Sequence, residues 1–220
     1  LSEKYKVPLL GGDTTKSKKQ IVINVAVIGK CSKGNVRLRS AAQTNDIVCV
    51  TGFLGDSAGG LEIILKNLAG SEEYLKLINS HHLPEPHLKE GQWLASHPGV
   101  HAMMDVSDGI SSDLKHIIKA SGKSAVVHLN KLPVSDTLQK AAAVHGWNTD
   151  MIASSGGEDY VLLCTIDERC FDKISAAFYD TFGRYLFAIG KIIDGESKII
   201  WEKDGRQVLF SQHGFDHFRA

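Results

Sequence analysis

"VHAMMDVSDGISSDLKHIIKASGKSAVVHL", residues 100–129, decides the fold. Its first seven residues are mostly apolar and predict a strand that ends at Val106. The turn that follows, Ser107-Asp108-Gly109, is built from short polar residues and a glycine, the chemistry of a sharp change of direction. From Ser111 the period changes. Leu114, Ile117 and Ile118 recur at three- and four-residue spacing, which predicts a helix over 111–122 stopped by Gly122. "SAVVHL" (124–129) returns to strand. Strand, helix and strand in immediate succession are the unit of a layered arrangement of helices on a sheet.

Working outward, "DIVCVTG" (46–52) and "YVLLCTI" (160–166) read as further strands. The first is apolar on both faces, the mark of a strand covered on each side. "QIVINVAVIG" (20–29) gives the same reading. Helices are expected over 57–69, from a cap at Ser71 to about residue 80, over 87–96, over 136–145, and over 168–182. The last places Phe171, Ile174, Phe178 and Phe182 on one face and ends at Gly183. The chain closes with strands "LFAIGKI" (186–192), "KIIWEK" (198–203) and "QVLF" (207–210), the last two joined through Asp204-Gly205, a good hairpin turn. "HHLPEPHLKEG" (81–91) holds two of the five prolines and is expected to be irregular. The fold class is α/β with α+β character: a layered mixed sheet with helices.

The bulk composition narrows the function. A chain of 220 residues accommodates one large domain, or a domain plus part of another. Hydrophobic residues make up 43% and charged residues 23%, near the values of ordinary globular proteins. Lys plus Arg and Asp plus Glu each total 25, so nothing in the charge balance points to nucleic acid or an anionic membrane. The four cysteines are scattered without a CxxC pair, which reads as reduced thiols and a cytoplasmic location. No apolar run approaches the roughly 18 residues of a membrane span. The opening "LSEKYKVPLLGGDTT" lacks an initiator Met and reads like the tail of a helix leading into a strand; an upstream segment is expected.

Glycine, at 21 residues, is in excess, and it gathers beside acids. Four places show this: "LGGDTT" (10–15), "TGFLGDSAGG" (51–60), "MDVSDGISSD" (104–113) and "SSGGEDY" (154–160). Glycine at strand ends and helix starts permits close approach of a ligand, and the free N–H groups there suit phosphate. Phosphate and carboxylate repel each other unless a cation stands between them. Mg²⁺ fits: it takes oxygen ligands, uses only one or two carboxylates, and completes its shell with water and substrate phosphates. Asp13, Asp105 and Asp108 are the candidate ligands of a metal–nucleotide complex, with Arg39 and backbone amides for the phosphate oxygens.

Taken singly, each cluster is equally ordinary turn and cap chemistry. Asp113, in the first turn of its helix, suits dipole compensation or packing as well as ligation. Asp56 reads as the cap of the helix that follows it, with Gly59 and Gly60 allowing close helix packing. The histidines lack metal-ligand spacing, and no GxSxG elbow, GxxxxGK[ST], HRD, DFG or GxGxxG occurs. A nucleotide bound here uses another scaffold.

"GGDTT" (11–15), "RSAAQTNDIVCVTGFLGDSAGGL" (39–61), "MDVSDGISSDL" (104–114), "SSGGEDYVLL" (154–163) and "GFDHF" (214–218) together resemble one family, the thiamine-monophosphate kinases of the aminoimidazole-ribonucleotide-synthetase-like superfamily. The resemblance implies a kinase that uses ATP and Mg²⁺ to convert thiamine monophosphate to thiamine diphosphate by in-line transfer, with positioning and metal catalysis in place of a covalent catalytic residue. It implies ATP contacts at Gly12, Asp13, Arg39 and Ser107, metal ligands at Asp13, Asp105 and Asp108, and substrate contacts at Glu158, Asp159 and Phe215. It also implies that residues 1–33 are the last strands of an N-terminal ATP-binding and dimerisation domain, that 34–220 are the C-terminal domain, and that the full-length protein is a homodimer. The family's "GDDAA"-type stretch and its substrate histidine near "VEGVHF" are not in this chain, so the piece alone is expected to be inactive. Two other readings stand beside it: another enzyme of the superfamily, such as selenophosphate synthetase, and a non-catalytic nucleotide-binding module.

Overall fold

The computed structural model describes residues 2–68 and 72–209, in two compact units that divide between Cys31 and Ser32. In the first unit the described residues form one short helix, α1 (Ser2–Tyr5), and no strand. The strand expected over 20–29 is absent: Ile21, Val22, Ile23, Val25, Val27 and Ile28 are all exposed. A β-branched run favours extended backbone, but a strand exists only through hydrogen bonds to a neighbour, and none pairs with this run among the described residues. The helix cap expected at Ser71 and the substrate contact expected at Phe215 lie outside the described residues.

The second unit is a seven-stranded mixed sheet with helices, as the sequence implies. Its elements are β1 (Ile47–Val50), α2 (Asp56–Leu65), α3 (Glu72–His82), α4 (Leu88–Ala95), β2 (Val100–Asp105), α5 (Ile110–Ser121), β3 (Ser124–His128), α6 (Asp136–His145), α7 (Thr149–Ser155), β4 (Leu162–Ile166), α8 (Glu168–Phe182), β5 (Phe187–Ile193), β6 (Ile199–Lys203) and β7 (Arg206–Val208). The strand order is β2-β4-β1-β5-β3-β6-β7. Every neighbouring pair is antiparallel except β3 with β6.

Alternation along β1 explains why that strand is apolar throughout. Val48 and Val50 join the core beneath Leu114, Ile117 and Ile118 of α5. Cys49 turns to the other face, where Leu94 of α4 and Ile174 and Phe178 of α8 cover it. Cys49 stands directly opposite Cys164 of β4, with the two sulfurs 3.4 Å apart, both buried and unlinked. A third cluster, Ile63, Leu77, Leu138 and Ala141, joins α2, α3 and α6 beside the sheet. Gly60 makes this possible, because a Cβ there would overlap the carbonyl of Leu77.

Helix ends follow local chemistry. The Ser135 hydroxyl accepts from the Leu138 amide at 3.0 Å to start α6, and Asp167 accepts from the Arg169 amide at 2.9 Å to start α8. Gly122, Gly146 and Gly183 end α5, α6 and α8 in the left-handed conformation. The helix α2 departs from expectation. Its cap position is Gly55, and the Asp56 carboxylate makes no capping bond but accepts from the Ser135 hydroxyl at 2.6 Å. The sequence reading also passed over α7, whose cap is the side chain of Asn148.

Candidate functional site

The chain brings three of the four glycine–acid clusters to one end of the sheet, at the termini of the adjacent strands β2, β4 and β1. The turn after β2 and the segment before β4 lie backbone to backbone. The Glu158 amide donates to the Ser107 carbonyl at 2.8 Å, the Tyr160 amide to the Val106 carbonyl at 2.9 Å, and the Val106 amide to the Val161 carbonyl at 2.8 Å. Glycine is required at this crossing. Gly109 has φ +93, and a Cβ on it would lie 2.8 Å from the Gly156 carbonyl oxygen. Gly157 is pressed against the Ser107 carbonyl in the same way.

Two carboxylates, Asp113 buried and Asp159 half-buried, hold the turns from within. Asp113, 1% exposed, reaches back from the first turn of α5 and accepts from the amides of Ser107 and Asp108, both at 3.0 Å. Burial pushes its carboxyl up to about 6 despite those bonds. Asp159 does the same for α2: it accepts from the Gly55 amide at 2.7 Å and from the Ser57 amide at 3.3 Å. Burial pushes it up to about 7, and neighbouring Asp56 acts in the same direction. Asp159 therefore supplies the capping carboxylate expected of Asp56. No sequence signal could have announced that, since its partners lie 104 and 102 positions away.

Asp105 and Glu158 are exposed and Asp108 is half-buried. The Tyr160 hydroxyl donates to Glu158 at 3.1 Å, and its phenol is raised by burial and then by the charges of Glu158, Asp105 and Asp108. Three carboxylates thus bear on a single phenol. Among the described residues no three acids, histidines or cysteines stand close enough to hold a metal ion unaided. Asp105 and Asp108 fit a cation that keeps water and phosphate oxygens in most of its shell, as Mg²⁺ does.

The remaining expected residues are placed as follows. Ser107 lies in the acidic turn itself. Arg39 sits in a short turn against the far end of α5, where its carbonyl accepts from the Ser121 hydroxyl at 2.9 Å. A twelve-residue helix, about 18 Å long, separates that point from Gly109. Gly12 and Asp13 belong to the first unit, in a stretch without regular structure, where the Asp13 carboxylate accepts from the Thr14 amide at 2.8 Å.

On the α3 side of the same sheet end a cleft of about 810 Å³ opens, with Phe53, Asp56, His87, Asp159, Arg184 and Phe187 in its wall. That volume suits a small organic molecule. His87 is buried, with Nδ1 2.6 Å from the Thr51 hydroxyl and Nε2 3.1 Å from the Arg184 guanidinium. Since arginine only donates, Nε2 must accept, and the proton of a neutral ring sits on Nδ1. Burial lowers the histidine's pKa in keeping with that neutral form. Of these cleft residues only Asp159, as a substrate contact, and Asp56, as a helix cap, were singled out from sequence.

The arrangement is that of a known class. Residues 43–202 match the family described as AIR synthase related protein, C-terminal domain, and the chain belongs to that family. Thiamine-monophosphate kinases are among its relatives. The enzyme of Salmonella typhimurium is 36% identical over 216 residues, which cover 97% of this chain and 64% of that protein. The enzyme of Bacillus subtilis is 34% identical over 225 residues, covering 100% of this chain and 67% of that one. The chain thus spans about two thirds of the length of these relatives. Among solved structures, "AaThiL complexed with AMPPCP and TMP" is similar at a TM-score of 0.68 and 31% identity, over 82% of this chain and 53% of that one.

Proposed function

We propose that this chain forms part of an ATP-dependent kinase that phosphorylates thiamine monophosphate to thiamine diphosphate. The observation that carries the reading is the 36% identity to a thiamine-monophosphate kinase across 97% of the chain. The relative solved with AMPPCP and TMP supports ATP as co-substrate.

In this proposal Asp13, Asp105 and Asp108 are each Mg²⁺ ligands, and the bound ion would supply the positive charge that lets these carboxylates tolerate phosphate. Gly12, Asp13, Arg39 and Ser107 bind ATP. Glu158, Asp159 and Phe215 bind the thiamine side, where a flat cationic ring suits carboxylates and the aromatic wall of Phe53 and Phe187. The protein's own part is alignment: two rigid turns present acids to the polyphosphate, and in-line transfer needs little covalent help. Residues 1–33 are the end of an N-terminal domain and 34–220 the C-terminal domain of a cytoplasmic homodimer.

The test is ADP release by the full-length protein, coupled to an optical readout, with thiamine monophosphate as acceptor. Turnover that needs thiamine monophosphate and falls by at least 100-fold in D105N and D108N, about 2.7 kcal/mol each, supports the proposal. Turnover with other acceptors but none with thiamine monophosphate refutes it. The 220-residue chain alone is expected to show little activity.

A further inference from the structure

We propose that Asp113 is the positioning residue of the acidic turn: its buried carboxylate fixes the Ser107–Asp108 backbone so that Asp105 and Asp108 are presented to a divalent cation. This rests on the reading of those two aspartates as cation ligands.

Geometry removes Asp113 from the ligand set and gives it this other task. At 1% exposure it faces inward, and a single oxygen receives both amides at 3.0 Å. The side chain comes from the first turn of α5 and closes residues 107–113 into a ring. On its other side the turn is clamped by the 2.8 Å bond from the Glu158 amide to the Ser107 carbonyl, and Gly109 leaves no slack against Gly156. The Ser107–Asp108 peptide is therefore held from both sides, and Asp113 is the side-chain half of the clamp. Without its carboxylate, two part-buried amides lose their acceptor, and the turn must move to satisfy them with water or another group, which carries Asp108 with it. Groups that orient metal ligands in this way are worth about 10- to 100-fold in metal affinity.

The probe is Mn²⁺ in the presence of ATP, titrated by the electron paramagnetic resonance signal of the free ion on the full-length protein; no turnover is needed. D113A should weaken Mn²⁺ binding at least about tenfold. D113N keeps an oxygen where both bonds end, and should recover binding to within on the order of threefold of wild type. A purely structural role would shift thermal stability in D113A and leave Mn²⁺ affinity unchanged; that result overturns the inference, as does a D113N protein no better than D113A. The double variant D105N/D108N separates the two ideas. If it binds Mn²⁺ like wild type, the cation-ligand reading itself fails; if it loses binding while D113A does not, only the positioning role fails. Should D113A not fold, D113E replaces it: the added methylene keeps the charge and displaces the turn. The same tenfold weakening is then expected, and unchanged affinity overturns the inference.

Discussion

Replacing Gly109 with alanine should unlock the crossing of the two turns. At φ +93 and ψ 154 the residue occupies a region open essentially to glycine alone, which costs another residue about 1–3 kcal/mol. The new methyl would also stand 2.8 Å from the Gly156 carbonyl oxygen and from the Ser155 carbonyl carbon, both main-chain atoms that no rotamer change can move aside. Relief requires the two segments to separate by a few tenths of an ångström, at the expense of the bonds from Glu158 to Ser107 and from Tyr160 to Val106. Each is worth roughly 0.5–1.5 kcal/mol. The sum is about 2–6 kcal/mol, or a fall in melting temperature of about 4–24 °C for a chain of this size. Urea unfolding followed by tryptophan fluorescence measures it. Gly146→Ala is the control: φ is +67 there, but nothing lies within 4 Å of the added carbon, so the loss should stay near 1 kcal/mol. Equal losses at the two glycines would refute the steric argument, leaving only the backbone cost.

Other expectations follow from the buried groups. Phe178→Ala empties a fully buried site between α8 and the sheet and should cost about 3–5 kcal/mol by the same unfolding assay. Burial pushes Asp113 up to about 6 and Asp159 up to about 7, both above the unfolded value of about 3.9. Between those values the folded chain keeps protons that the unfolded chain releases. Their contribution is therefore full below about pH 4 and is lost as pH rises through 6 and 7. Urea midpoints should fall across that window, and D159N should flatten its upper part; a midpoint that rises toward pH 7 in wild type but not in D159N would contradict the assigned sign.

Where structure is local, the sequence was sufficient. The helices α6 and α8 run over 136–145 and 168–182 as expected, because Ser135, Asp167, Gly146 and Gly183 mark their ends within a residue or two of the bonds they make. The strands beside the acidic turn were equally readable, since their apolar runs are bounded by glycine and charge. Long-range pairing was not readable. An apolar run such as 20–29 carries strand propensity without naming a partner, and pairing is what makes a strand. The helix α7 is only seven residues long, too short for a periodic pattern to stand out. At the site, the clusters at 51–60, 104–113 and 154–160 did meet, but which acid does what depended on contacts across the chain. The capping bonds that adjacency suggested for Asp56 are made by Asp159, and the cleft beside His87 and Arg184 is assembled from segments about a hundred positions apart.

In a glycine-rich phosphate loop the main chain grips the anion directly. Here the amides of Gly55, Ser57, Ser107 and Asp108 are already spoken for by Asp113 and Asp159, so an arriving polyphosphate meets turns whose positive ends are partly muted. On the proposed reading, these turns recruit nucleotide through a counter-ion, and the grip of the full-length protein on ATP should weaken steeply as free divalent ion is withdrawn.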